Sequence, residues 1–73
     1  MAHSNYRVVI ERLPVADGGG YVAYVRDLPG CASDGSTLEE AAVNIQDAIA
    51  CWIEAATELG RPVPQPSPQR AFA

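Results

Sequence analysis

Lysine is absent from the chain, histidine and tryptophan occur once each, and two cysteines are the only thiols among 73 residues. These scarcities exclude a good deal. His3 is the sole imidazole and sits in an unpatterned start, so Ser33, Ser36, Thr37 and Cys31 have no base to activate them, and no nucleophile–base–orienter set can be assembled. Cys31 and Cys51 form no CxxC or Cys/His ligand spacing, which removes a structural zinc site. With no secretory signal in view, they read as small, buried, reduced apolar residues of a cytoplasmic protein. Apolar runs are only a few residues long, too short to span a bilayer. The only cations are Arg7, Arg12, Arg26, Arg61 and Arg70, scattered along a chain of net charge −4. Direct nucleic-acid binding needs a basic stripe, and none is present. An acidic surface suits a basic protein partner by complementarity of fields. The same acidity also serves plain solubility.

What is there fits one small domain. A chain of this length buries only about 60% of the surface it exposes when unfolded, and small folds usually add a disulfide, a metal or a partner subunit. With the first two disfavoured, a homodimer or larger homo-oligomer is expected.

Along the chain, Asn5 to Leu13 alternates, with Tyr6, Val8 and Ile10 on one face and Arg7, Val9 and Glu11 on the other, the period of a strand. Pro14 and Gly18-Gly19-Gly20 end it in a turn. The glycines run into a strand and no Gly-Lys-Ser/Thr follows, so a hairpin connection is the reading, not a phosphate loop. Tyr21 to Leu28 is the second strand, Pro29-Gly30 a turn, and Cys31 to Asp34 a short third strand ending at Gly35. Thr37 followed by Glu40 has the spacing of a capping box, the start of a helix over 38–59. Leu38, Ala41, Ala42, Ile45, Ala48, Ile49, Trp52, Ile53, Ala56 and Leu59 make a stripe about 140° wide at helical spacing, and Gly60 before Arg61-Pro62 is its stop. Trp52 and Ile53 read as core, with Trp52 placed so that it reaches a dimer contact in the alternative. Val43 lies off the stripe. Prolines 62, 64, 66 and 68 give residues 61–73 the character of an exposed extended tail, with residues 1–60 as the single domain.

The expected fold class is therefore α+β: a three-stranded antiparallel sheet packed by one long amphipathic helix, in the order β-β-β-α. One sheet face and the sheet edges stay uncovered, which favours self-association or partner binding. Asp27 and Asp34 flank the Pro-Gly turn and Glu11 is on the neighbouring strand, so strand pairing can gather the three, giving a metal-dependent nuclease as the rival reading.

The ordered motifs resemble a known family. Tyr21-Val22-Ala23, then Asp27-Leu28-Pro29-Gly30-Cys31, Gly35 and Thr37-Leu38-Glu39-Glu40-Ala41 match the aromatic-x-Ala, Asp-Leu-Pro-Gly-Cys, Gly and Thr-x-x-Glu-Ala pattern of HicB-like antitoxins, and the resemblance runs over residues 6–66. It implies a partial ribonuclease-H-like fold without a complete active site. It also implies a HicA-like toxin as partner: a small basic protein of double-stranded-RNA-binding-domain fold that cleaves mRNA with a histidine. The antitoxin neutralises it by covering that site. Arg26 stands where many members have proline. Many members also carry a C-terminal DNA-binding module, for which residues 61–73 leave no room, so operator binding is not expected. A stand-alone oligomeric module with another partner is the third reading. On the leading one, Asp27 and Asp34 meet toxin arginines or lysines, Tyr24 and Leu28 add apolar contact, and Glu39 and Glu40 add charge. Thr37, Gly35 and Gly60 are assigned to structure, and no cofactor is expected.

Overall fold

In the computed structural model, residues 6–66 are described. His3, Asn5, Pro68 and Arg70 lie outside the described residues. The elements are strand β1 (Val8–Arg12), a 3-10 turn (Val15–Asp17), strand β2 (Tyr21–Val25), strand β3 (Ala32–Gly35) and helix α1 (Leu38–Glu58). The sheet is antiparallel throughout, in the order β1-β2-β3, with α1 across one face. This is the α+β arrangement expected from the sequence.

The strands are shorter than their apolar runs. β2 stops at Val25 because the chain then folds into two successive turns, closed by Leu28 N–H to the Val25 carbonyl and Cys31 N–H to the Leu28 carbonyl. Between β1 and β2, the Leu13 amide donates to the Gly20 carbonyl at 2.8 Å, and the loop winds one 3-10 turn capped by the Pro14 and Val15 carbonyls. All three glycines of that loop have positive φ, the conformation for which a Cβ is a handicap.

Register sorts the side chains. Val8 pairs with Val25 and Ile10 with Ala23, and these line the helix-facing side. Val9 pairs with Tyr24, Glu11 with Val22, and Val22 with Asp34, all on the opposite side. The core consists of Tyr6, Ala23, Val25, Leu28 and Cys31 from the sheet side and Ala41, Ile45 and Ile49 from the helix. Trp52 and Ile53 pack against it, half-buried. The stripe's two ends behave differently: Leu38 is 53% exposed and Leu59 68%. A 21-residue helix runs about 31 Å, whereas a five-residue strand covers about 17 Å, so the helix outreaches the sheet it covers.

Both helix ends carry the devices the sequence announced. The Glu40 amide donates to Thr37 Oγ1 at 3.0 Å. The Glu40 carboxylate accepts from the Ser36 amide, one residue before the position a capping box would use. The cause is the tight passage from β3 into α1. A Cβ on Gly35 would lie 2.5 Å from the Ala41 nitrogen and 2.9 Å from the Glu40 carbonyl carbon, so the strand end presses on the first helical turn and brings the Ser36 amide to Glu40. At the far end, Gly60 has φ +72, its amide donates to the Thr57 carbonyl, and the Arg61 amide reaches the Ala56 carbonyl at 2.8 Å. Those paired bonds make a Schellman cap.

The segment after the cap is not free of the domain. The Tyr6 hydroxyl donates to the Pro64 carbonyl, and Val63, Pro64 and Pro66 are half-buried. The expectation of an exposed tail holds for Arg61, Pro62 and Gln65 and is corrected for Val63, Pro64 and Pro66, where a buried tyrosine at the other end of the chain supplies a donor for the Pro64 carbonyl.

Gly35→Ala is expected to destabilise the fold by about 1–3 kcal/mol, the usual cost of forcing atoms into a filled space. Thr37→Ala is expected to cost about 1 kcal/mol through the lost cap. Urea unfolding followed by circular dichroism reads both. Unchanged midpoints would show that the strand-to-helix passage is not what holds α1 in place.

Candidate functional site

The partner-contact residues read from the sequence do not form one patch. Leu28 is fully buried (0% exposed) in the core, so its side chain is not on the surface. A turn residue was given a surface role because turns are normally solvated. Here two consecutive turns dip the chain inward between Val25 and Cys31. Tyr24 lies on the open sheet face, where its hydroxyl donates to Glu11 Oε2 at 3.2 Å. Asp27 is half-buried in the turn beyond the end of β2.

Asp34 and Glu40 do come together at the β3–α1 junction, with Asp34 at the edge of the open sheet face. Asp34 and Glu40 line an open cleft of about 490 Å³ with Gly18, Gly20, Gly35, Ser36 and Asn44. Asn44, one turn after Glu40, fastens the cleft by donating its side-chain amide to the Asp34 carbonyl at 2.8 Å. Glu39 is exposed on the same helical turn. Sequence reading missed Asn44, whose only signal is its position one turn beyond the cap on the flank of the apolar stripe.

The acids off the apolar stripe, which read from the sequence as ordinary solvent-face residues, are exposed along the outer side of α1. Its 21 residues include Glu39, Glu40, Asp47, Glu54 and Glu58 and no basic residue. At 100° per residue these acids fall within an arc of about 100°, opposite the core stripe. At 1.5 Å per residue the stripe extends about 28 Å. Glu54 and Glu58 stand near the negative end of the helix dipole, an arrangement that works against helix stability. The absence of any Lys or Arg between positions 38 and 58 was the readable signal.

Glu11, Asp27 and Asp34 do not converge. Glu11 and Asp34 stand on either side of Val22, two strand spacings apart or about 10 Å, and Asp27 lies beyond the opposite end of β2. Among the described residues, no three His, Cys, Asp or Glu side chains are grouped so as to hold a metal ion. Among the same residues, no helix is long and apolar enough to cross a membrane.

A second concavity, apolar and about 450 Å³, lies where the tail turns back. Pro29, Trp52, Ala55, Ala56, Leu59, Pro62 and Pro64 line it together with Arg61. Trp52 serves the chain's own fold by donating its indole N–H to the Pro29 carbonyl at 2.8 Å, tying α1 to the Pro-Gly turn.

Comparison with known proteins agrees with this architecture. Residues 6–72 match the family model described as the HicB-like antitoxin of bacterial toxin-antitoxin systems. A UPF0150 family protein of Synechocystis sp. is 43% identical over 61 residues, covering 84% of this chain and 73% of the relative. A UPF0150 protein of Thermoplasma acidophilum is 37% identical over 60 residues, covering 82% and 83% respectively. A 14.9 kDa protein from the rep–hol intergenic region of Haemophilus phage HP1 is 40% identical over 63 residues, 86% of this chain but only 44% of the phage protein. Because the family model spans residues 6–72, nearly the whole chain, this chain belongs to the HicB-like antitoxins.

The two thiols provide a check on the core. Cys31 is buried, and desolvation raises its pKa above the ordinary 9.0, while Cys51 is exposed on α1. A disulfide-exchange reagent is expected to label Cys51 rapidly and Cys31 only on unfolding. Because the raised pKa belongs to the folded state, Cys31 favours folding below about pH 9, and that contribution declines as pH rises through the thiol range. Equal labelling of both thiols in native buffer would contradict the placement of Cys31.

Proposed function

We propose that this chain is an antitoxin-like protein-binding module that works in the cytoplasm by direct, non-catalytic neutralisation of a small basic HicA-like mRNA-cleaving toxin. The observation that carries the reading is the acidic stripe on α1. Five carboxylates occupy one side of a helix with no compensating cation, and two of them oppose the helix dipole. Uncompensated like charge costs a monomer stability through self-repulsion, and it speeds and orients encounter with a partner of opposite sign. Membership of an antitoxin family supports a toxin as that partner.

In this proposal the stripe and the β3–α1 cleft make the contact, with Glu39 and Glu40 at one end meeting arginines or lysines of the toxin and Asp34, at the edge of the open sheet face, bordering that cleft. Tyr24 belongs to a second surface, the open sheet face, through which the chain forms a homo-oligomer. Asp27 borders neither patch, and Leu28 contributes by holding the turn in the core. Binding follows from surface charge, so it requires no bound cofactor and is indifferent to a chelator.

Co-expression with a small basic HicA-like protein, sought first among the products of neighbouring genes, is the test. The expected result is co-purification and relief of that protein's toxicity. Glu39→Lys combined with Glu54→Lys is expected to weaken the complex roughly tenfold or more, mainly by slowing association, with little change in folding. Glu58→Lys is expected to raise the unfolding midpoint while lowering affinity. If the charge-reversed variants neutralised the partner as well as the parent chain, the stripe would have no part in recognition.

A further inference from the structure

The open face of the sheet carries a charge pattern that deepens the self-association in the proposal above. Its middle row is Val9–Tyr24–Ala32, set by the pairings Val9 with Tyr24 and Tyr24 with Ala32. On one side of that row stands Glu11–Val22–Asp34. On the other, just beyond the Val8–Val25 pair, Arg7 precedes β1 and Arg26 opens the turn after β2, both exposed. Tyr6 and Val8 belong to the core side, so alternation puts Arg7 on the open face. The face therefore has an acidic row and an apolar row across the strands, with the two arginines at the strand ends beyond them.

From this pattern we infer that the open face pairs with the same face of a second copy, about a two-fold axis running along the Val9–Tyr24–Ala32 row. A two-fold interface must be self-complementary. Two in-plane axes are available. One parallel to the strands would place acids over acids and arginines over arginines, which opposes association. The axis along the middle row exchanges the acidic row with the ends that carry the arginines. Glu11 then faces Arg7 of the second copy, and Arg26 of the second copy faces Val22 between Glu11 and Asp34. Sheets packed face to face lie about 10 Å apart, a gap that arginine and glutamate side chains span together. Val9, Tyr24 and Ala32 of both copies fill the centre, where Tyr24 supplies an aromatic anchor.

Three short strands give a footprint of a few hundred Å² per copy, below the roughly 800 Å² of a standard interface. The dimer is accordingly concentration-dependent. It leaves α1 and its acidic stripe facing outward on both sides, free for the basic partner.

Sedimentation equilibrium of the full chain over a wide concentration range tests this directly. The parent chain is expected to shift from monomer to dimer, and Tyr24→Ser to remain monomeric with an unchanged circular dichroism spectrum. Arg7→Glu alone is expected to weaken the dimer roughly tenfold by placing acid against acid, and adding Glu11→Arg to restore it. A monomer at every concentration would overturn the inference, as would a dimer indifferent to Arg7→Glu and Tyr24→Ser. A monomeric chain in which Tyr24→Ser abolishes capture of the basic partner would assign the face to that partner instead, and also overturn it. Partner capture is measured separately on the Glu39→Lys variant, so loss of the antitoxin reading and loss of the dimer are distinguishable.

Discussion

The close passage of β3 against the first turn of α1 is the contact on which the other features rest. Gly35 lets the strand end lie against the backbone of Glu40 and Ala41, where a single added methyl group would collide. Thr37 and Ser36 then close the helix start around Glu40, and Asn44 ties the next turn back to the Asp34 carbonyl. With its start fixed there, α1 lays Ala41, Ile45 and Ile49 over Ala23 and Val25, and its direction across the sheet is set. The two remaining ties, Trp52 to the Pro29 carbonyl and Tyr6 to the Pro64 carbonyl, hold the far end and the tail to the same body.

That geometry separates the chain's two outward faces. Core residues occupy one side of α1, and the carboxylates occupy the side pointing away from the sheet. The sheet's uncovered side is of a different character: apolar along its middle row, with opposite charges at its two ends. In the proposed reading a basic partner is attracted by the first, and the second is balanced against itself. A domain this small gains from both, because burial that the monomer cannot supply comes from association.

Much of the fold was legible in local pattern. The helix was expected over 38–59 and spans Leu38–Glu58, and its Gly60 cap follows from the need for a left-handed residue before Arg61-Pro62. The three strands were legible in order, though their ends were not, since turns at Pro14 and after Val25 cut the apolar runs short. What escaped were contacts between positions far apart in the chain. No periodicity reveals that Tyr6 reaches Pro64 or that Trp52 reaches Pro29. Leu28 was read outward because Asp27 and Pro29-Gly30 beside it are turn residues, yet it is one of the largest fully buried side chains. Of the candidate contact residues, Asp34 and Glu40 come together because the β3–α1 turn is short. Tyr24 lies on the open face, which Asp34 shares by register, and Asp27 in the turn beyond β2, away from the helix start.

The proposed recognition of a basic protein by the carboxylate stripe is tested most directly by the affinity of the purified chain for a small basic HicA-like protein as a function of salt. Isothermal titration should show a complex whose association constant falls steadily as ionic strength rises through the range where the Debye length contracts from about 30 Å to about 8 Å. A complex of undiminished affinity across that range would contradict it, and so would the absence of any complex at low salt.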